Sequence, residues 1–85
     1  MEYLFTFANT HFVIKGEKLL GKQEIVAKPM PLPTSLGSFC GICLRISNKD
    51  LKKAQFVLND EGIPVSGIFE ILGEGRERKY LPWKS

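Results

Sequence analysis

The sequence predicts an α+β fold from three observations. The chain begins with alternating apolar residues, it contains two stretches with helical apolar spacing, and its elements follow the order β-α-β-β-α-β. Two β-α-β halves with right-handed crossovers give a four-stranded antiparallel sheet with both helices on one face. We therefore expect a ferredoxin-like architecture, and the 85 residues leave room for a single domain.

The first strand and the first helix are predicted over residues 2–8 and 11–20. The strand alternates, with its three aromatic residues on one face. The helix has apolar or small residues spaced at three and four positions, as an amphipathic helix does. Asn9 or Thr10 supplies the N-cap oxygen, and Gly21 is the expected C-terminal stop.

A second strand is predicted over residues 24–28, where the prolines that follow should end it. Residues 30–38 carry two prolines and a glycine, so they are expected to form a loop. Residues 39–47 alternate again and predict a third strand. Its apolar face is opposite the face that carries Cys43 and Arg45.

A second helix is predicted between Leu51 and Gly62, and residues 64–72 predict the fourth strand. After Gly73 the composition changes to charged residues followed by aromatic ones. We therefore divide the chain into a domain over residues 1–73 and a charged, aromatic C-terminal tail over residues 74–85.

The composition excludes several classes of protein. Apolar residues make up 44% and charged residues 25%, which excludes a disordered chain. No apolar run is long enough for a membrane span, and we expect no secretion signal. Two cysteines are too few for a disulfide scaffold, so the cytoplasm is the expected compartment. A net charge of +3 does not by itself indicate nucleic acid.

The predicted topology brings distant residues to one edge of the sheet. Strands 1 and 3 are antiparallel neighbours, so the end of the first meets the start of the third. The first helix begins at that edge, and the proline-rich loop ends there. Thr10, His11 and Cys40 should therefore lie near each other, and any chemistry is expected there.

Cys40 and Cys43 form a Cys-x-x-Cys motif with more than one interpretation. On a strand, positions i and i+3 lie roughly 10 Å apart on opposite faces, beyond the ~7 Å Cα limit for a disulfide. A disulfide would require Gly41 to break the strand. With His11 the cysteines provide three of the four ligands of a structural zinc site, so we expect no metal. Three alternatives stay open: a single reactive thiol at Cys40, a Cys40–Cys43 dithiol, or two small buried apolar cysteines. For Cys43, in the middle of the predicted strand, burial is favoured.

Nucleic-acid binding is not expected, although RNA-recognition motifs share this element order. Their first and third strands display aromatic side chains for base stacking. Here only Phe39 could stack from the third strand, and the aromatic residues of the first strand are needed for the core.

Over about residues 2–72 the sequence resembles the family of selenium/sulfur-carrier-like proteins. The resemblance is carried by a Phe-x-x-Thr-His motif, a Glu-Lys-Leu-Leu helix segment, a proline-bearing loop and a Ser-x-Cys-Gly motif. The positions are Phe7, Thr10 and His11; Glu17 to Leu20; Pro29, Pro31 and Pro33; and Ser38, Cys40 and Gly41. The resemblance implies that Cys40 is the carrier thiol, and Cys43 stands where a small apolar residue is expected.

The leading hypothesis is a cytoplasmic sulfur or selenium carrier rather than a stand-alone enzyme. Cys40 would hold the atom as a persulfide or selenosulfide, with Gly41, Thr10 and His11 in support. Donor and acceptor proteins would be its partners, and no cofactor is expected. The alternative is a non-catalytic ferredoxin-like module for oligomerisation or protein interaction.

A homodimer is predicted from the sheet face opposite the helices. That face should expose an apolar patch too large for a small monomer. The chain's own residues 80–83 or a second copy should cover it, and exchange of the tails between two copies would combine both and bury Trp83 in the dimer. The patch is formed by Leu4, Thr6, Ala8 and Cys43, bordered by Arg45.

Overall fold

The structure is a computed structural model that describes residues 1–36 and 41–83. Its helices and strands are β1 Glu2–Thr6, α1 Thr10–Lys22, β2 Ala27–Pro31, β3 Ile42–Ser47, α2 Leu51–Asp60, β4 Gly67–Leu72 and β5 Lys79–Pro82. The strands form one antiparallel sheet in the order β2-β3-β1-β4-β5. The α+β class with two helices and an antiparallel sheet is confirmed, but the predicted number of four strands is wrong.

The main core lies between the sheet and the two helices. The alternation predicted for β1 is confirmed, since Phe5 and Phe7 are fully buried on the helix side. In the register with β3, Phe5 is opposite Leu44 and Tyr3 is opposite Ile46. The core side chains of the helices are Val13, Leu20, Leu51, Ala54 and Leu58. Burying these apolar side chains is the main term that stabilises the fold.

The two helices end in the same way but use different residues. After α1, the Ile25 N–H donates to the Leu20 carbonyl at 3.0 Å, and Glu24 has a left-handed φ of 61°. After α2, Ile63 and Gly62 take the corresponding places. Both ends are Schellman motifs, in which a residue with positive φ closes the last turn. The predicted stop at Gly62 is confirmed. The predicted stop at Gly21 is wrong, because α1 continues to Lys22.

The edge strand β2 contains the prolines that were expected to end it. The Leu32 N–H donates to the Gly41 carbonyl at 3.0 Å, so alternate residues of β2 point their N–H groups towards β3. Pro29 and Pro31 occupy the other positions, whose N–H groups would face outwards. A proline costs no ladder hydrogen bond there, and it removes a donor that another strand could use.

The fifth strand lies in the segment that was predicted to be a tail. Residues 79–82 pair with the end of β4, and the Trp83 N–H donates to the Ile68 carbonyl at 2.8 Å. The Trp83 ring packs edge-on against Tyr3, with ring centroids 6.0 Å apart. Trp83 therefore contacts the core of its own chain, whereas the sequence predicted that it would be buried between two copies.

The sheet face opposite the helices is more closed than the sequence predicted. Leu4, Thr6 and Cys43 are fully buried on this face within one chain. The Thr6 hydroxyl donates to the Gly67 carbonyl at 3.2 Å, and the Phe69 ring lies 3.1 Å from where a Cβ on Gly67 would stand. Leu4, Thr6 and Cys43 are therefore buried without a second copy of the chain. The predicted exposure of Leu4, Thr6 and Cys43 is wrong.

Candidate functional site

The candidate site lies at the sheet edge where β1 ends and β3 begins. The register pairs Thr6 with Cys43, so the residues that follow β1 and the residues that precede β3 lie at the same end of the sheet. The Thr6 carbonyl accepts from the Ser66 N–H at 2.8 Å, which holds the approach to β4 at this edge too. Ala8 and Asn9 are exposed, so a partner protein can reach this part of the molecule.

Cys40, the predicted carrier thiol, lies outside the described residues. Its neighbour Gly41 is exposed and has a φ of +88°, a left-handed value that favours glycine. The Gly41 carbonyl accepts from the Leu32 N–H, which ties the residue after β2 to the residue before β3. A glycine is therefore required by the backbone immediately after the predicted thiol.

Thr10 and His11 form the exposed first turn of α1 at the same edge. The Asn9 side chain caps the helix by accepting from the Phe12 N–H at 3.0 Å, as the sequence predicted for Asn9 or Thr10. The remaining N–H groups of a first turn have no partner within the helix and carry partial positive charge. The His11 ring is tilted against Phe12, with centroids 6.0 Å apart.

Cys43 lies inside β3 and has no exposed surface. Its Sγ is 3.6 Å from the Met30 carbonyl oxygen, a distance at which the thiol donates to the backbone of β2. The side chain fills the sheet face opposite the helices, beside Thr6. Another protein could reach this thiol only if the sheet opened. Cys43 thus matches the interpretation of a small buried apolar residue.

The described residues contain no group of three or more His, Cys, Asp or Glu side chains that could hold a metal ion. Neither His11 nor Cys43 therefore belongs to such a group in that part of the chain. What this edge offers chemically is a helix N-terminus, an imidazole and a glycine turn next to Cys40.

A second group of polar residues was missed by sequence reasoning. The sequence places Arg45 at the border of the apolar patch without a partner, and in the structure its Nε donates to a Glu2 carboxylate oxygen at 2.6 Å. Arg78, placed in the predicted tail, is half-buried, and its Nε has no hydrogen-bond partner among the described residues. The sequence shows the charges of Glu2 and Arg45. The distance between the two side chains depends on the strand register, which could not be predicted.

Two helices packed on one antiparallel sheet, with one cysteine inside it, define a small α+β protein with its candidate site at a sheet edge. Over residues 2–70 the chain matches the family described as "Putative Se/S carrier protein-like", and it belongs to that family. The resemblance stated from the sequence is confirmed. No curated protein and no solved structure matches the chain.

Within residues 1–36 and 41–83, neither helix has the length and apolar character that crossing a bilayer would require.

Proposed function

We propose that this protein carries a sulfur or selenium atom on the thiol of Cys40. The chain has two cysteines, and Cys43 is fully buried inside a strand. That burial is the observation on which the choice rests, because a carrier thiol must meet the active sites of other proteins. Family membership supports the carrier role.

Loading needs no net oxidation when the donor is itself a persulfide. The Cys40 thiolate attacks the outer, sulfane sulfur of the donor, and a new S–S bond forms. The bond between that sulfur and the donor's own sulfur breaks, and the donor leaves as a thiolate. With selenium as the outer atom the same exchange leaves a selenosulfide on Cys40.

Unloading follows the same exchange in the opposite direction. A nucleophile of the acceptor attacks the outer atom, and Cys40 leaves as a thiolate. A low thiol pKa favours both steps, since the thiolate is the attacking group in one and the leaving group in the other. The partners are therefore a donor and an acceptor protein, and a reducing cytoplasm keeps the unloaded thiol ready.

The neighbours of Cys40 fit supporting roles in this exchange. The first turn of α1, with Thr10 and His11, places partial positive charge at the edge where β3 begins, and such charge stabilises a thiolate. Gly41, which has a left-handed φ and no side chain, follows Cys40 directly in the sequence. These roles are part of the proposal.

Intact-protein mass spectrometry tests the proposal. A persulfide donor, and separately a selenium donor, is incubated with the full chain and with two variants, Cys40→Ser and Cys43→Ser. We expect one reductant-removable adduct of one sulfur or one selenium atom on the natural chain and on Cys43→Ser. Cys40→Ser should take up none. An adduct retained by Cys40→Ser and lost by Cys43→Ser would overturn the assignment.

We also propose a homodimer. The apolar patch that predicted it is smaller than expected, since Leu4, Thr6 and Cys43 are buried within one chain. Outward-facing prolines on β2 also argue against pairing of two sheets through that edge. Light scattering over a concentration series gives the answer. A mass of twice 9.6 kDa supports the dimer, and a constant 9.6 kDa contradicts it.

A further inference from the structure

A cleft of about 440 Å³ opens at the end of the sheet away from Gly41. It lies where β1 begins, beside the turn that joins β4 to β5. Its volume is in the range of small-molecule sites, roughly 300–1,000 Å³. We call it the Arg78 cleft. Its lining includes Glu2, Arg45, Ile71, Gly73, Glu74 and Arg78.

The two arginines of the Arg78 cleft differ in their partners. Arg45 forms an ion pair with Glu2 across the neighbouring strands, so its charge is already balanced. Arg78 has no ion pair among residues 1–36 and 41–83, although the Glu74 carboxylate lines the same cleft. Of the two arginines, Arg78 is therefore the one whose charge has no ion-pair partner in the described part of the chain.

Arg78 lines the cleft with a guanidinium that is partly removed from solvent. Its Nε is buried and lacks a hydrogen-bond acceptor in the described part of the chain. The turn before it is tight: Gly73 has a φ of +77°, and a Cβ there would lie 2.8 Å from the Glu77 carbonyl oxygen. A partly desolvated cation on such a turn attracts an anion more strongly than a solvated one does.

We propose that the Arg78 cleft binds a small molecule that carries a carboxylate, with Arg78 as the anion-binding residue. A guanidinium matches a carboxylate through two parallel N–H···O bonds. The nearby carboxylates of Glu2 and Glu74 repel a ligand with two negative charges more than a ligand with one. That difference favours a carboxylate over a phosphate. Ile71 supplies an apolar wall for the rest of the ligand.

The test is an NMR titration of the full chain with sodium acetate, and separately with inorganic phosphate, at constant ionic strength. We expect saturable amide shifts for acetate with a Kd in the millimolar range, confined to Arg45 and to residues 71–78. Arg78→Gln should weaken acetate binding at least about tenfold, as the loss of a charge-assisted pair would. Arg76→Gln, which removes the same charge outside the cleft, should leave the Kd unchanged.

Arg78→Lys keeps the charge but loses the paired N–H geometry, and we expect an intermediate Kd. The dispersion of the core amide signals shows whether Arg78→Gln is folded. If it is not, the Kd of Arg78→Lys for acetate tests the site instead. Shifts that never saturate, or equal losses in Arg76→Gln and the Arg78 variants, would overturn the site. Tighter binding of phosphate than of acetate would overturn the carboxylate preference. Because no sulfur or selenium is loaded, the result is independent of the carrier proposal.

Discussion

The two central strands have buried side chains on both faces of the sheet, but the surroundings of the two faces differ. On one face, Phe5 and Leu44 are fully buried under two helices. On the other face, Leu4 and Cys43 are equally buried, but residues of the neighbouring strands border them. In the register, Arg45 and Phe69 are the direct neighbours of Leu4.

The central part of a sheet face can therefore be buried without a second layer of helices. Leu4, Thr6 and Cys43 have no exposed surface within one chain, so this part of the second face needs no partner chain. A face without helices above it should, however, adapt to a substitution more easily than the helix-covered core does.

The largest expected difference concerns two leucines that are both fully buried. Leu44→Ala removes contacts with the rigid helix-covered core, and we expect a loss of about 3–5 kcal/mol in the free energy of unfolding. Leu4→Ala should cost about 2–3 kcal/mol, because the side chains around it can close part of the cavity. Urea unfolding measures both. Equal losses would show that the second face is as rigid as the core.

A smaller effect is expected where Phe69 covers Gly67. A Cβ at Gly67 would lie 3.1 Å from a Phe69 ring carbon and 3.2 Å from the Thr6 hydroxyl oxygen. Gly67→Ala should therefore destabilise the protein by about 1 kcal/mol through overpacking.

Gly21→Ala is the matched control for Gly67→Ala. Gly21 lies within α1 and has nothing within 4 Å of the added Cβ. We expect it to stabilise the protein by up to about 1 kcal/mol through helix propensity. The same sign for both variants in thermal unfolding would contradict the packing described for Phe69.

The smallest effect concerns the ion pair on the second face. Glu2 and Arg45 are both about one-third exposed, so solvent screens their interaction. A double-mutant cycle with Glu2→Gln and Arg45→Gln should give a coupling of about 0.2–1 kcal/mol. High salt should reduce it. A coupling that is larger and insensitive to salt would mean that this face excludes water as the core does.

Much of the fold could be predicted because its elements have clear periodicity. The alternation from Tyr3 to Phe7 and the apolar stripes of the helices predicted three core elements with the correct inner faces. The strand β2 was displaced because prolines normally end strands, and only the register shows that Pro29 and Pro31 occupy harmless outward positions. The strand β5 was missed because it follows a charged run.

The candidate site was predicted less completely than the fold. Antiparallel pairing of the first and third strands could be predicted, and it gives the edge at which Thr10, His11 and Gly41 lie. Burial of Cys43 was one of the interpretations that the sequence left open. Alternation assigns a residue to a face of the sheet without showing what covers that face. The Arg78 cleft could not be predicted at all, since it depends on the turn before β5.

Thiol labelling tests the central claim most directly, namely that Cys40 is the reactive thiol and Cys43 a residue of the sheet interior. The native chain is treated with iodoacetamide and the alkylated peptides are mapped. We predict rapid alkylation of Cys40 and protection of Cys43 until denaturant unfolds the sheet. Cys40→Ser should abolish the rapid phase, and Cys43→Ser should retain it. Rapid alkylation of Cys43 in the folded protein, or a rapid phase that survives in Cys40→Ser, would contradict the claim.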